Sequence, residues 1–130
     1  MKQGDTFELS FTATEAIYNS FIEAYNDRNP LHTDLNFAIS KGFDKVVLHG
    51  NILNGFVSYF IGEGLPTENV MLISQNIDYH NPFHIGDKLN FIAKVKNISA
   101  AAQTIEFKFI FKNQLKKKVA KGMILIKTLE

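Results

Sequence analysis

The 130-residue sequence contains no cysteine, which removes disulfides, thiolate metal sites and a thiol nucleophile together. It also lacks an excess of charge. Fourteen basic against 13 acidic side chains leave +1, so no whole-chain field favours nucleic acid or an anionic membrane. No stretch approaches the roughly 18 apolar residues of a membrane span, and the opening MKQGDTFELS has no apolar signal-peptide core. A soluble cytoplasmic protein with neither nucleic-acid nor membrane partners is the expectation. Arginine is almost absent: Arg28 is the single guanidinium, the other 13 basic residues being lysines. A guanidinium suits bidentate contact with phosphate or carboxylate better than an ammonium does. No linker or internal repeat divides the chain, and the one short charge run, Lys116 to Lys118, fits a solvated hairpin turn.

What is present fits one globular unit. Hydrophobic residues make up 45% and charged ones 21%, in a chain long enough for one core and too short for two, so residues 1–130 form a single expected domain. Residues 5–11 alternate, with Phe7, Leu9 and Phe11 on one face, and predict a half-buried strand. Thr12 and Glu15 fit a capping box, opening a helix in which Ile17, Phe21, Ala24 and Tyr25 recur at helical spacing. Pro30 ends that helix, and a second short one is predicted to begin near Thr33 or Asp34 and to stop at Gly42. A third, over residues 51–60, leaves few polar faces and should be buried. Strands are predicted over residues 70–79, 89–98, 104–112 and 119–128, with Ile105, Phe107, Phe109 and Phe111 giving the clearest period of two. One strand, helices, then four antiparallel strands make an α+β fold, a sheet wrapped around one buried helix. Its open edge favours self-association.

Residues 25–50, YNDRNPLHTDLNFAISKGFDKVVLHG, hold the chemistry-bearing groups. Asp27 and His32 bracket the Asn29-Pro30 turn, so a carboxylate and an imidazole could hold one water between them. Gly50 opens the buried helix, where a backbone N–H backed by the helix dipole could hold a developing oxyanion. Those are the parts of an enzyme that adds or removes water: acid–base groups around one water, and a donor where negative charge builds. His49, beside Gly50, is expected to be a structural hydrogen-bonder. His80 and His84 flank Asn81-Pro82-Phe83, but the proline prevents a regular helical pairing and no third ligand is evident, so no metal site is expected.

The stretch YNDRNPLHTDLNFA, residues 25–38, resembles the hydratase signature of the MaoC-like, R-specific enoyl-CoA hydratase family. That signature is roughly an aromatic residue, Gly-Asp-x-Asn-Pro-aliphatic-His, five residues and a small residue. Asp27, Asn29, Pro30, Leu31, His32 and Ala38 match it in register. Val47-Leu48-His49-Gly50, residues 82–87 (PFHIGD) and the C-terminal strands extend the likeness over nearly the whole chain.

The resemblance implies a hot dog fold that forms homodimers or higher homo-oligomers, and reversible hydration of trans-2-enoyl thioesters to R-3-hydroxyacyl thioesters. The substrate would be an acyl-CoA or acyl-carrier-protein thioester, with no metal or redox cofactor. Asp27 and His32 would bind and activate water, and Gly50 would donate its N–H to the thioester oxygen. Asn29 would orient the pair, and Ser58 would support the active-site loop. Lys116 to Lys118 could contact CoA phosphates, and part of the Phe107–Phe109–Phe111 row could line an acyl tunnel. Asn26 departs from the signature's glycine, although asparagine tolerates a left-handed backbone best after glycine. A hot dog thioesterase and a non-catalytic acyl-thioester-binding module are the alternatives. Carrier-protein dehydratases and many thioesterases of this fold carry an acidic residue on the central helix; residues 51–62 offer none.

Overall fold

The structure, a computed structural model, describes residues 1–129. Strand β1 (Thr6–Thr12) alternates as its sequence does, and Phe7, Leu9 and Phe11 pack against the core. Helix α1 (Glu15–Tyr25) starts later than a Thr12–Glu15 capping box requires, and that box does not form. Thr12 still pairs in the sheet with Lys88. Fully buried Ala13 donates to the Asp87 carbonyl at 2.9 Å and accepts from the Gly86 N–H at 2.8 Å. These bonds keep the chain extended through residue 13. Thr14 is therefore the cap, accepting the Ile17 N–H at 3.1 Å, and Glu15 is the first helical residue.

Two short helices, not one, follow the Asn29-Pro30 turn. Asn29 caps α2 (Pro30–Thr33) by accepting the Leu31 N–H at 3.0 Å. Pro30 sits at the first helical position, where its missing N–H costs nothing. Asp34 then ends α2 in an extended conformation (φ −122°, ψ 106°) and caps α3 (Leu35–Ser40) through the Phe37 N–H. Proline is here a start signal as well as a stop.

Helix α4 (Ile52–Glu63) is the centre of the core, burying Ile52, Leu53, Phe56, Val57, Phe60 and Ile61. It packs on a five-stranded antiparallel sheet of order β1-β3-β4-β5-β2, completed by β2 (Val70–Tyr79), β3 (Lys88–Ser99), β4 (Thr104–Lys112) and β5 (Lys118–Thr128). Phe91, Phe107, Phe109 and Phe111 all point into this core, and Phe60 meets Phe107 edge-on at 5.4 Å between centroids. Each such ring removed from water contributes about 2 kcal/mol or more. That burial holds α4, and with it the turn that precedes α4, against the sheet.

The β2 edge is different. A bulge between Leu72 and Ser74 leaves Met71, Leu72 and Ile73 exposed in succession, at 51%, 42% and 46%. No helix of the described residues is long and apolar enough to cross a membrane.

Candidate active site

The loop that carries Asp27 begins where α1 ends. Asn26 closes that helix at φ 57°, ψ 28°, its N–H bonded to the Ile22 carbonyl at 2.7 Å. This is the left-handed region that glycine adopts freely and asparagine with little penalty, so the departure from the family signature leaves the turn intact. Arg28 donates from Nε to Asn26 Oδ1 at 2.8 Å and borders a hollow with Tyr18, Glu23 and Thr33. The guanidinium thus braces the turn. Asn26→Gly keeps the left-handed turn and loses only the exposed bond from Arg28, so it should cost less than Asn26→Ala, which should cost about 1 kcal/mol, read from denaturation midpoints.

Beyond this turn each residue is tied down. Asp27 Oδ1 accepts the Asn29 N–H at 3.2 Å, and the Asn29 carbonyl accepts the His32 N–H at 2.9 Å. The Thr33 hydroxyl lies 3.1 Å from the Arg28 carbonyl and 3.2 Å from that of Asn29. Tyr18 donates its hydroxyl to the His32 carbonyl at 2.6 Å. Burial raises the Tyr18 phenol above its ordinary value, the Arg28 charge opposing in part, so this donor keeps its proton at neutral pH. Tyr18 stands in the apolar face of α1, and nothing in its spacing announces a bond to a residue 14 positions away.

Two carbonyls set the histidine tautomers. His32 Nδ1 lies 2.6 Å from the Val47 carbonyl, which can only accept, so Nδ1 carries the proton and Nε2 presents a lone pair. His49 makes the opposite choice: its Nε2 donates to the Asp27 carbonyl at 2.9 Å. The two rings stack with centroids 3.9 Å apart and planes 30° apart. One carboxylate oxygen of Asp27 and one ring nitrogen of each histidine all lie within 4.8 Å of one another. A single water bonded to two groups at ordinary lengths spans about 4.5 Å, and Asp27 and His32 lie within the 4.8 Å that leaves one water in reach of both. His84 is engaged elsewhere, with Nδ1 2.9 Å from the Val46 carbonyl.

Gly50 lies just before α4, which begins at Ile52 with Asn51 as its cap, and not at the helix start itself. A tightened turn bridges the difference: the N–H groups of Ile52, Leu53 and Asn54 bond to the carbonyls three residues back, at 3.0–3.1 Å. Among the described residues the Gly50 N–H has no acceptor. The Tyr79 ring covers the position so closely that a Cβ on Gly50 would lie 2.8 Å from Cε1. Tyr79, half exposed, has its phenol raised by burial, with Asn54 opposing.

A groove of about 1050 Å³ runs between α1 and α4 from Asp27, past Phe21 and Tyr25 on one wall and Asn51, Gly55 and Ser58 on the other. His32 and Gly50 are not part of its wall. Ser58 is exposed there and makes no hydrogen bond with the residue 26–33 loop among the described residues, so the structure shows no contact behind a loop-supporting role.

The family model described as "MaoC like domain" matches residues 1–117. The chain belongs to the MaoC-like domain family. Among curated relatives of this MaoC-like chain, an (R)-specific enoyl-CoA hydratase of Rhodospirillum rubrum is 25% identical over 108 residues, covering 83% of this chain and 75% of that protein. An (R)-specific enoyl-CoA hydratase of Aeromonas caviae is 28% identical over 89 residues, covering 68% and 66% respectively. The solved (R)-hydratase of A. caviae superposes with a TM-score of 0.90 over 98% of this chain and 97% of its own, at 23% identity. The fold is the expected hot dog fold, shared with that neighbour: an antiparallel sheet wrapped on α4.

Proposed function

We propose that this chain catalyses the reversible hydration of trans-2-enoyl thioesters to R-3-hydroxyacyl thioesters. That it is a hydratase or dehydratase follows from its family and its curated relatives. The observation that carries the finer reading is the Asp27–His32 pair, spaced for one water, with His32 Nε2 left basic by the bond from Nδ1 to Val47.

In this reading Asp27 and His32 Nε2 each accept one hydrogen of the water. The water oxygen attacks C3 of the enoyl group as His32 takes one proton, and the C2–C3 π electrons move toward the thioester carbonyl. The Gly50 N–H receives the charge that builds on the thioester oxygen, an interaction worth most in the transition state. The imidazolium then returns its proton to C2, so water is added and no metal or redox partner is consumed. Asn29 holds the Asp27–His32 turn, and the groove between α1 and α4 takes the acyl chain, with Ser58 in its wall. The test follows enoyl absorbance with crotonyl-CoA and longer or branched homologues, as CoA and carrier-protein thioesters. Loss of absorbance with at least one of them is expected; binding to all with turnover of none contradicts the proposal.

The exposed β2 edge supports a homodimer joined through that strand, since a bare apolar edge otherwise templates uncontrolled pairing. Light scattering should report a dimer, and replacing Leu72 and Ile73 together by lysine should shift it to monomer. A wild-type monomer at working concentration contradicts this.

A further inference from the structure

His49 is 2% exposed and lies between Phe21, at 4.7 Å between ring centroids, and Tyr18, at 6.0 Å. An apolar ring fills such a space without penalty. The imidazole, by contrast, keeps Nδ1 buried with no hydrogen-bond partner. A buried lone pair left unpaired is costly, and packing alone gives no reason to keep it.

We infer that His49 is a positioning residue for the water-activating pair, acting on both members at once. The inference rests on the Asp27–His32 reading above. Through Nε2–H, His49 fixes the main chain of Asp27 at 2.9 Å, which sets where the carboxylate begins. Its ring, with centroid 3.9 Å from that of His32, occupies the space into which the His32 imidazole would otherwise tilt. Residue 49 adjoins Gly50, so one rigid step of chain sets the acid–base pair and the oxyanion donor in a common frame. The sequence offers one hint, the adjacency of His49 and Gly50; the 22-residue reach back to Asp27 is tertiary.

Two substitutions separate this role from a structural one. His49→Phe keeps a ring and loses the N–H; kcat should fall about tenfold or more with KM changed less than about twofold, as a reacting group displaced by even 1 Å is expensive. His49→Gln returns an amide N–H near the Nε2 position and should bring kcat back to within about threefold of wild type, the groove being untouched. Wild-type kcat in His49→Phe overturns the inference. So do equal losses of kcat in both variants, matched by equal losses of melting temperature. Independently of any variant, histidine 15N shifts of the wild-type protein should show His49 protonated at Nε2 and His32 at Nδ1. His49 protonated at Nδ1 would refute the bond to Asp27. An inactive Asp27→Asn beside an unaffected His49→Phe would sink this inference alone, whereas a fully active Asp27→Asn would sink the reading beneath it.

Discussion

Asp27→Asn should lower kcat for enoyl-thioester hydration by about 10³-fold and leave both KM and melting temperature close to wild type. The substitution is unusually clean here. Asn29 donates its N–H to Asp27 Oδ1, and an asparagine Oδ1 can accept the same bond. The carbonyl that His49 holds belongs to the main chain and is untouched. What disappears is an anionic acceptor for one hydrogen of the water; an amide NH₂ in its place points a donor at that hydrogen. The groove between α1 and α4 keeps its shape, so substrate binding persists while the chemical step fails. Steady-state kinetics with a thermal melt on the same preparation decide it. Equal kcat in variant and wild type would remove Asp27 from the mechanism.

Gly50→Ala should reduce kcat/KM by about 10²-fold or more, the scale of losing one oxyanion donor. Glycine is required at this point by a close approach. An added Cβ would lie 2.8 Å from Tyr79 Cε1 and 3.0 Å from Cζ, inside contact distance. The atoms met are those of a half-exposed side chain rather than backbone, so the ring can swing and the protein should fold with a modest loss of stability. Wherever the ring goes, the methyl group stands beside the N–H that the thioester oxygen must reach, and the oxygen is held off. Adding Tyr79→Ala should therefore recover stability but not rate. Recovery of rate in the double variant would show that the ring clash, and not access to the N–H, was at fault.

The strands were legible because their alternation is strict. Phe107, Phe109 and Phe111 face the core as their spacing predicts, and β2 and β4 have the bounds that spacing gives. The errors lie where a tertiary bond overrides a local signal. Thr12 and Glu15 satisfy the capping-box pattern, yet Ala13 is pinned to Gly86 and Asp87, some 70 residues away, and the helix waits for Thr14. Pro30 is read locally as a terminator, and only Asn29 capping the next turn shows that it also starts one. In the candidate site, Asp27, His32 and Gly50 stand out by residue type and spacing, and Asn29 through the resemblance to the hydratase signature. The partners that fix them do not. Tyr18 and Val47 act through a phenol and a carbonyl whose reach depends on how α1 and residues 46–48 pack, which no periodicity encodes. Arg28, conspicuous as the single arginine, proves to brace the left-handed Asn26.

The most direct measurement of the central claim is product analysis from one 2-enoyl-CoA, with free thiol titrated in the same reaction. The account predicts that enoyl absorbance is lost, that the product is the R-3-hydroxyacyl-CoA, and that no thiol appears. Release of free CoA while the enoyl double bond survives would contradict it, and would assign the Asp27–His32 pair to thioester hydrolysis instead.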